Sequence, residues 1–148
     1  MYLHELAADE NGRSFAAVVN RKLGLGVVID FDASLFPYFM EWKSTGAGDY
    51  VVGLEPSNSS VHGRGWHEQR GDLHAIAPQA SERKSLTFTV IEGEAAIDGL
   101  IARRDAARLN YGDNIGRYVI RRSHRTASRG YLAAWRLLSH NFFFSVVF

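Results

Sequence analysis

A chain of 148 residues, 46% apolar and 22% charged, has the size and composition of one folded globular unit, which excludes a disordered, collagen-like or coiled-coil chain. With no cysteine, it has no disulfide framework, no thiolate chemistry and no sulfur-built zinc site, leaving His, Asp and Glu as metal ligands. The net charge of +1 conceals a division: residues 1–96 hold 8 of the 17 Lys+Arg and 13 of the 16 Asp+Glu, a net of −5, while residues 97–148 carry nine Arg and three Asp, a net of +6.

The amino terminus, Met1-Tyr2-Leu3-His4-Glu5-Leu6, lacks a basic segment followed by an apolar run, so no signal peptide is expected and the reading is cytoplasmic. Asp9-Glu10-Asn11-Gly12 supplies turn chemistry, and Phe15, Ala17 and Val19 alternate with Ser14, Ala16, Val18 and Asn20, which predicts a first hairpin over about 2–20. Leu25, Val27, Ile29 and Phe31 alternate with Gly26, Val28, Asp30 and Asp32 in a second strand pattern. Shorter β-prone runs at 38–42 and 50–54 are separated by the loop-like Ser44-Thr45-Gly46-Ala47-Gly48-Asp49. Leu86, Phe88 and Val90 alternate with Ser85, Thr87, Thr89 and Ile91, so the first 92 residues read as antiparallel β.

After Glu94 the spacing becomes helical, with Ile97, Leu100, Ile101 and Leu109 able to share a face; a second helix is expected over Arg129 to Ser139. The end, from Asn141 to Phe148, is apolar and β-prone, an aggregation risk if exposed. Residues 131–148 fall short of the ~20 apolar residues of a spanning helix and contain Arg136 and His140, so no membrane span is expected. Every Lys, every Glu and all three prolines precede Ala96, which divides the chain into residues 1–96 and an Arg-rich tail, 97–148.

The chemistry-bearing region is Phe36-Pro37-Tyr38-Phe39-Met40-Glu41-Trp42-Lys43, then Gly48 to Asn58, then Gly63-Arg64. Aromatic rings such as Tyr38 and Trp42 can lie against the C–H face of a sugar, although plain sheet packing is their competing use. Lys43, Asn58 and Arg64 supply the directional donors that ring hydroxyls need. Glu55 falls at the end of an apolar run before Pro56, which is expected to release the chain into a loop and leave a carboxylate both held and reachable.

Pro37-Tyr38 through Trp42-Lys43, Gly48-Asp49-Tyr50-Val51-Val52-Gly53-Leu54-Glu55-Pro56-Ser57-Asn58, Gly63-Arg64, and later Gly71-Asp72-Leu73 with Pro78 resemble the C-terminal half of the aldose 1-epimerase-like proteins of the DUF4432 family, within the galactose mutarotase-like superfamily. The resemblance covers about residues 2–94, and Leu54-Glu55-Pro56 is its most specific part. It implies a mainly β fold, an antiparallel partial β-sandwich cut from the mutarotase supersandwich, with a basic, partly helical tail. It implies also that Glu55 occupies the position of the general base acting on the anomeric hydroxyl, with Tyr38, Trp42, Lys43, Asn58 and Arg64 as sugar-pocket positions. The implied partner is a monosaccharide or sugar derivative, with no metal and no organic cofactor. In that family the acid histidine comes from an upstream half, so the expected function is carbohydrate binding without full mutarotase activity. An isomerase completed by dimerisation, or by a separate upstream half, is the alternative.

His62, His67 and His74 are five and seven residues apart, form no His-x-His cluster, and read as solvated loop histidines rather than metal ligands. Arg121-Arg122-Ser123-His124-Arg125-Thr126-Ala127-Ser128-Arg129, with Tyr118 and Tyr131 nearby, allows a third reading, a nucleic-acid-binding tail on an inert β scaffold; a solvated charged loop is the simpler one. An Arg-only, Lys-free tail is also what translation past a frameshift in a GC-rich gene produces.

Overall fold

The structure, a computed structural model, describes residues 1–44, 46–111 and 145–147. The expected alternations become strands β1 (Tyr2–His4), β2 (Arg13–Asn20), β3 (Leu25–Asp32), β4 (Tyr38–Ser44) and β5 (Val51–Ser57). Helix α1 (Arg64–Arg70), strand β6 (Leu86–Glu92), helix α2 (Glu94–Tyr111) and strand β7 (Ser145–Val147) follow. All pairings are antiparallel, in a three-stranded sheet ordered β1-β4-β5 and a four-stranded sheet ordered β6-β3-β2-β7, so the chain is mainly antiparallel β as expected. The second helix expected at 129–139 and the arginine run at 121–129 lie outside the described residues.

The hairpin expected over 2–20 does not form. The turn is present, with the Gly12 N–H donating to the Asp9 carbonyl at 2.9 Å, but β1 pairs with β4 and β2 pairs with β3. The physical reason is burial: β2 is covered on both faces and its neighbour must be a strand of matching length with apolar residues on both faces, which the eight-residue β3 is and the three-residue β1 is not.

Two cores follow from the pleat. On one face Phe15, Ala17, Val19 and Val28 pack with Ile97 and Leu100 of α2, joined by Ile91 and Ile101. On the other, Ala16, Ile29 and Phe31 pack with Phe39 of β4, joined by Leu6, Phe36 and Leu54. Phe31 stacks on Phe39 with centroids 5.9 Å apart and meets Phe36 edge-on at 6.1 Å. Ala16 and Ala17 are fully buried, small residues where two layers approach one strand. Gly26 completes the helix side, because a Cβ there would lie 2.9 Å from Val19 and 3.0 Å from Ile91.

Helix α2 runs through Ala96, where the composition changes. Its exposed side is tied to the sheet by Arg21, which meets Glu94 at 2.6 Å and Asp98 at 2.7 Å, and by Arg103, which meets Asp30 at 2.6 Å and lies over the Phe15 ring. Exposed pairs of this kind contribute little each, so the apolar seam sets the strength of attachment. Ile97 is fully buried, and Ile97→Ala is expected to destabilise the chain by about 2–5 kcal/mol through lost contacts and a residual cavity. Urea unfolding of the variant checks this, with Ile101→Ala, at the half-buried margin, expected to cost clearly less.

Candidate functional site

Strands β4 and β5 pair with Tyr38 opposite Ser57, Met40 opposite Glu55, and Trp42 opposite Gly53. Directly opposed residues share a face, so Tyr38, Trp42, Gly53 and Glu55 lie together on the face turned away from the Phe39–Leu54 core. Glu55 stands between Tyr38 and Trp42 on the two diagonals. Its carboxylate bends back over Gly53: a Cβ at that glycine would lie 2.7 Å from Glu55 Oε1. Trp42 is 41% exposed and Glu55 half-buried, so an aromatic surface and a carboxylate are presented side by side.

Glu55 is not at a strand end. Strand β5 continues through Pro56, opposite Phe39, to Ser57. Pro56 is tolerated because β5 is an edge strand among the described residues, where a missing N–H breaks no ladder bond. The carboxylate is therefore held by a paired strand rather than by the start of a loop.

The expected loop after Asn58 contains α1, with Gly71 in the left-handed conformation at its C-terminus. His67, expected to be solvated, is 2% exposed within this helix. Its Nε2 accepts from the Ser60 backbone N–H at 2.9 Å and lies 3.0 Å from Ser60 Oγ, while Nδ1 lies 2.9 Å from Asp72 Oδ1. An Nε2 that accepts leaves Nδ1–H to donate to Asp72. The Ser60, His67 and Asp72 sequence resembles a nucleophilic triad, but the Ser60 amide already occupies the imidazole lone pair that a nucleophile would need, so the group acts as a latch. Asp72 extends it, accepting from the Tyr38 hydroxyl at 3.1 Å and from Arg70 Nε at 3.1 Å, while the Tyr38 ring meets His67 edge-on at 5.2 Å. Tyr38 is thereby fixed in orientation beside Glu55. Burial and donation to Asp72 raise its hydroxyl above the usual phenol range.

Asn58 and Arg64 belong to the α1 side. Tyr38, Asn58, Asp72, His74, Glu82 and Lys84 border a groove of about 440 Å³, and Asn58 and Arg64 join Ser60, His67 and His74 around a second of about 230 Å³. Glu55, Trp42 and Lys43 line neither, so Tyr38 is the residue common to the Glu55 face and the first groove. Lys43 falls on the opposite face of β4 from Trp42. There it meets Glu41 at 2.9 Å and covers the Tyr2 ring, and Glu41 in turn meets His4 at 3.0 Å. Burial pushes the Glu41 carboxyl up, but hydrogen bonds from His4 and Lys43 outweigh it and leave the group below the usual carboxylate range. Among the described residues no group of three or more His, Asp and Glu is placed to hold a metal ion.

The sequence reading missed Ser60 and His67 because their partners are fixed by the fold; the only local signal was Gly63 and Gly71 bracketing a seven-residue span. The latch has a pH signature. The hydrogen bond from His67, with those from Arg70 and Tyr38, holds Asp72 below the usual carboxylate range against a smaller opposing effect of desolvation. A carboxylate depressed in the folded state stabilises above its unfolded pKa and loses that contribution as pH falls through the folded one. Stability is therefore expected to decline below about pH 4, and Asp72→Asn to flatten part of that decline while lowering stability at neutral pH. Urea midpoints measured across this range check it.

Comparison with known proteins bears on this arrangement. The DUF4432 family, a domain of unknown function, matches residues 1–90. The crystal structure of a "putative aldose 1-epimerase" from Klebsiella pneumoniae subsp. pneumoniae superposes with a TM-score of 0.65 at 29% identity, covering 76% of this chain and 29% of that one. The chain thus spans under a third of that protein's length. No curated protein matches the chain. With more than half of its length matched by the family, and its sheets superposing on those of an aldose 1-epimerase-like protein, the chain belongs to the DUF4432 family.

Proposed function

We propose that the chain binds a monosaccharide or sugar derivative on the outer face of β4 and β5, with Trp42 and Tyr38 against the ring and Glu55 accepting from a hydroxyl. The observation that carries this reading is the register that sets Glu55 on the diagonals between Tyr38 and Trp42, with its carboxylate turned over Gly53, the residue opposite Trp42. Aromatic surface beside a hydrogen-bonding carboxylate matches a pyranose, apolar on its C–H face and polar at its rim. Likeness to an aldose 1-epimerase-like structure makes the same substrate class the natural expectation. Asn58 and Arg64, on the far side of Tyr38, would reach only an extended substituent of the sugar.

The reading is binding rather than full turnover. Opening a hemiacetal needs a base at the anomeric hydroxyl and an acid at the ring oxygen. Among the described histidines, His4 is bonded to Glu41 on the opposite face, His67 is held by Ser60 and Asp72, His74 is bonded to Glu82, and the His62 ring lies 4.5 Å from Trp66. NMR titration with aldoses at millimolar concentration is expected to perturb Tyr38, Trp42 and Glu55 together; unperturbed signals would remove the proposal. Gly53→Ala is expected to weaken binding with little effect on stability, because the new methyl displaces only the far end of the flexible Glu55 side chain.

A second reading is favoured by the short coverage of the related structure: a second copy of the chain, or an upstream half, supplies the acid, and Glu55 serves as base. It predicts anomer interconversion, followed by polarimetry, that Glu55→Gln lowers by about 10²- to 10⁴-fold without loss of fold. Activity indifferent to that substitution would exclude Glu55 from the role.

A further inference from the structure

Strand β6 is an edge of the four-stranded sheet, and among the described residues nothing pairs with its outer side. Its sequence from Leu86 to Ile91 contains no charge, proline or glycine. Leu86, Phe88 and Val90 share the face that Ala16, Ile29 and Phe31 turn toward the three-stranded sheet, but that layer stops short of them: Phe88 is 64% exposed, Val90 68% and Val27, opposite Val90 on β3, 43%. Edge strands are ordinarily blunted by an inward charge, a proline or a bulge, and β6 has none of these along its middle.

Glu92 is the last residue of β6 and Lys84 stands two residues before its first, each four residues from Phe88, so continuing the strand by one pair beyond Leu86 brings both into phase with Leu86, Phe88 and Val90. We propose that β6 pairs antiparallel with β6 of a second copy of this chain about a two-fold axis through Phe88, joining two four-stranded sheets into one of eight strands. In that register Phe88 lies beside its own copy, Leu86 faces Val90, Thr87 faces Thr89, and Lys84 faces Glu92 on both sides of the axis. The interface is self-complementary, as a two-fold contact must be.

The register is selective. Because directly opposed residues share a face, a two-fold axis perpendicular to the sheet must pass through a residue. Moving it to Thr87 sets Glu82 against Glu92, two like charges; moving it to Thr89 sets Leu86 against Glu92. Only the Phe88 axis matches apolar with apolar and opposite charge with opposite charge. Lys84 already lies 3.6 Å from Glu82 of its own chain, so the contact adds a second carboxylate to an existing pair. The inference does not depend on the sugar reading.

Sedimentation of the full chain, with circular dichroism and thermal unfolding as fold controls, tests the proposal. The chain is expected to dimerise. Lys84→Glu and Glu92→Lys each set like charges opposite at two symmetric places and are expected to weaken the dimer about tenfold. The double variant Lys84→Glu/Glu92→Lys restores opposite pairing and is expected to recover it. Phe88→Lys, which brings two ammonium groups together at the axis, is expected to give a folded monomer. A monomeric full chain overturns the proposal, as does a dimer or larger assembly indifferent to Phe88→Lys and to both charge reversals. Should one single variant fail to fold, the other single variant and the double variant still decide: weakening without recovery in the double variant overturns the Lys84–Glu92 register.

Discussion

Strand β2 has to be covered on both faces, and the rest of the molecule is arranged around that requirement. From Ser14 to Asn20 there is no charged residue, and all but Val18 are buried. A strand of that kind cannot present one face to water, so two different layers are brought to it: α2 on one side and the β1-β4-β5 sheet on the other. The alanines at 16 and 17 and the glycine at 26 let those layers come close, and Phe31 carries the aromatic stack that joins the sheets. Burial of apolar area is the dominant favourable contribution to such a fold, so the order of the sheets follows from which strands can be buried twice.

The candidate site lies where that requirement ends. One face of β4 and β5 contributes Phe39 and Leu54 to the core, which leaves Tyr38, Trp42 and Glu55 on the other. A carboxylate on a paired strand is held in place by backbone hydrogen bonds. The Asp72–His67–Ser60 latch does the same for Tyr38 from the side of α1. On the inner face, charge is handled differently: Glu41 is buried and is matched by His4 and Lys43, the condition under which an ionised group tolerates loss of water. Two neighbouring residues of β4, Trp42 and Lys43, therefore serve opposite ends, one exposed beside Glu55 and one bound into the interior network.

The two layers over the central strands differ in reach. Helix α2 covers its face from Phe15 to Val28, whereas the three-stranded sheet covers Ala16, Ile29 and Phe31 but leaves Val27, Phe88 and Val90 exposed. The related epimerase-like structure is far longer than the part that superposes, so the same strands there belong to a larger chain. Here the exposed strip lies along β6, where Lys84 and Glu92, of opposite charge, stand at equal sequence distances from Phe88.

The sequence by itself determined the strands β2, β3 and β6, the change to helix after Glu94, and the aromatic, carboxylate-bearing segment from Tyr38 to Asn58. Each is a local pattern, set by the period of two or of 3.6 that burial of one face imposes. Membership of the DUF4432 family was legible in the same way, through the Leu54-Glu55-Pro56 run and its neighbours. Tertiary structure decided what local periodicity does not encode. It gave β1 to β4 instead of β2, because a three-residue strand cannot match a strand buried on both faces. It carried β5 through Pro56, because an edge strand has a side on which no N–H is needed. Above all it buried His67, which looks like any loop histidine until Ser60 and Asp72 are brought to its two nitrogens by a turn of helix. Such contacts depend on which segments meet in space, and that is settled by competition among all the apolar faces of the chain at once.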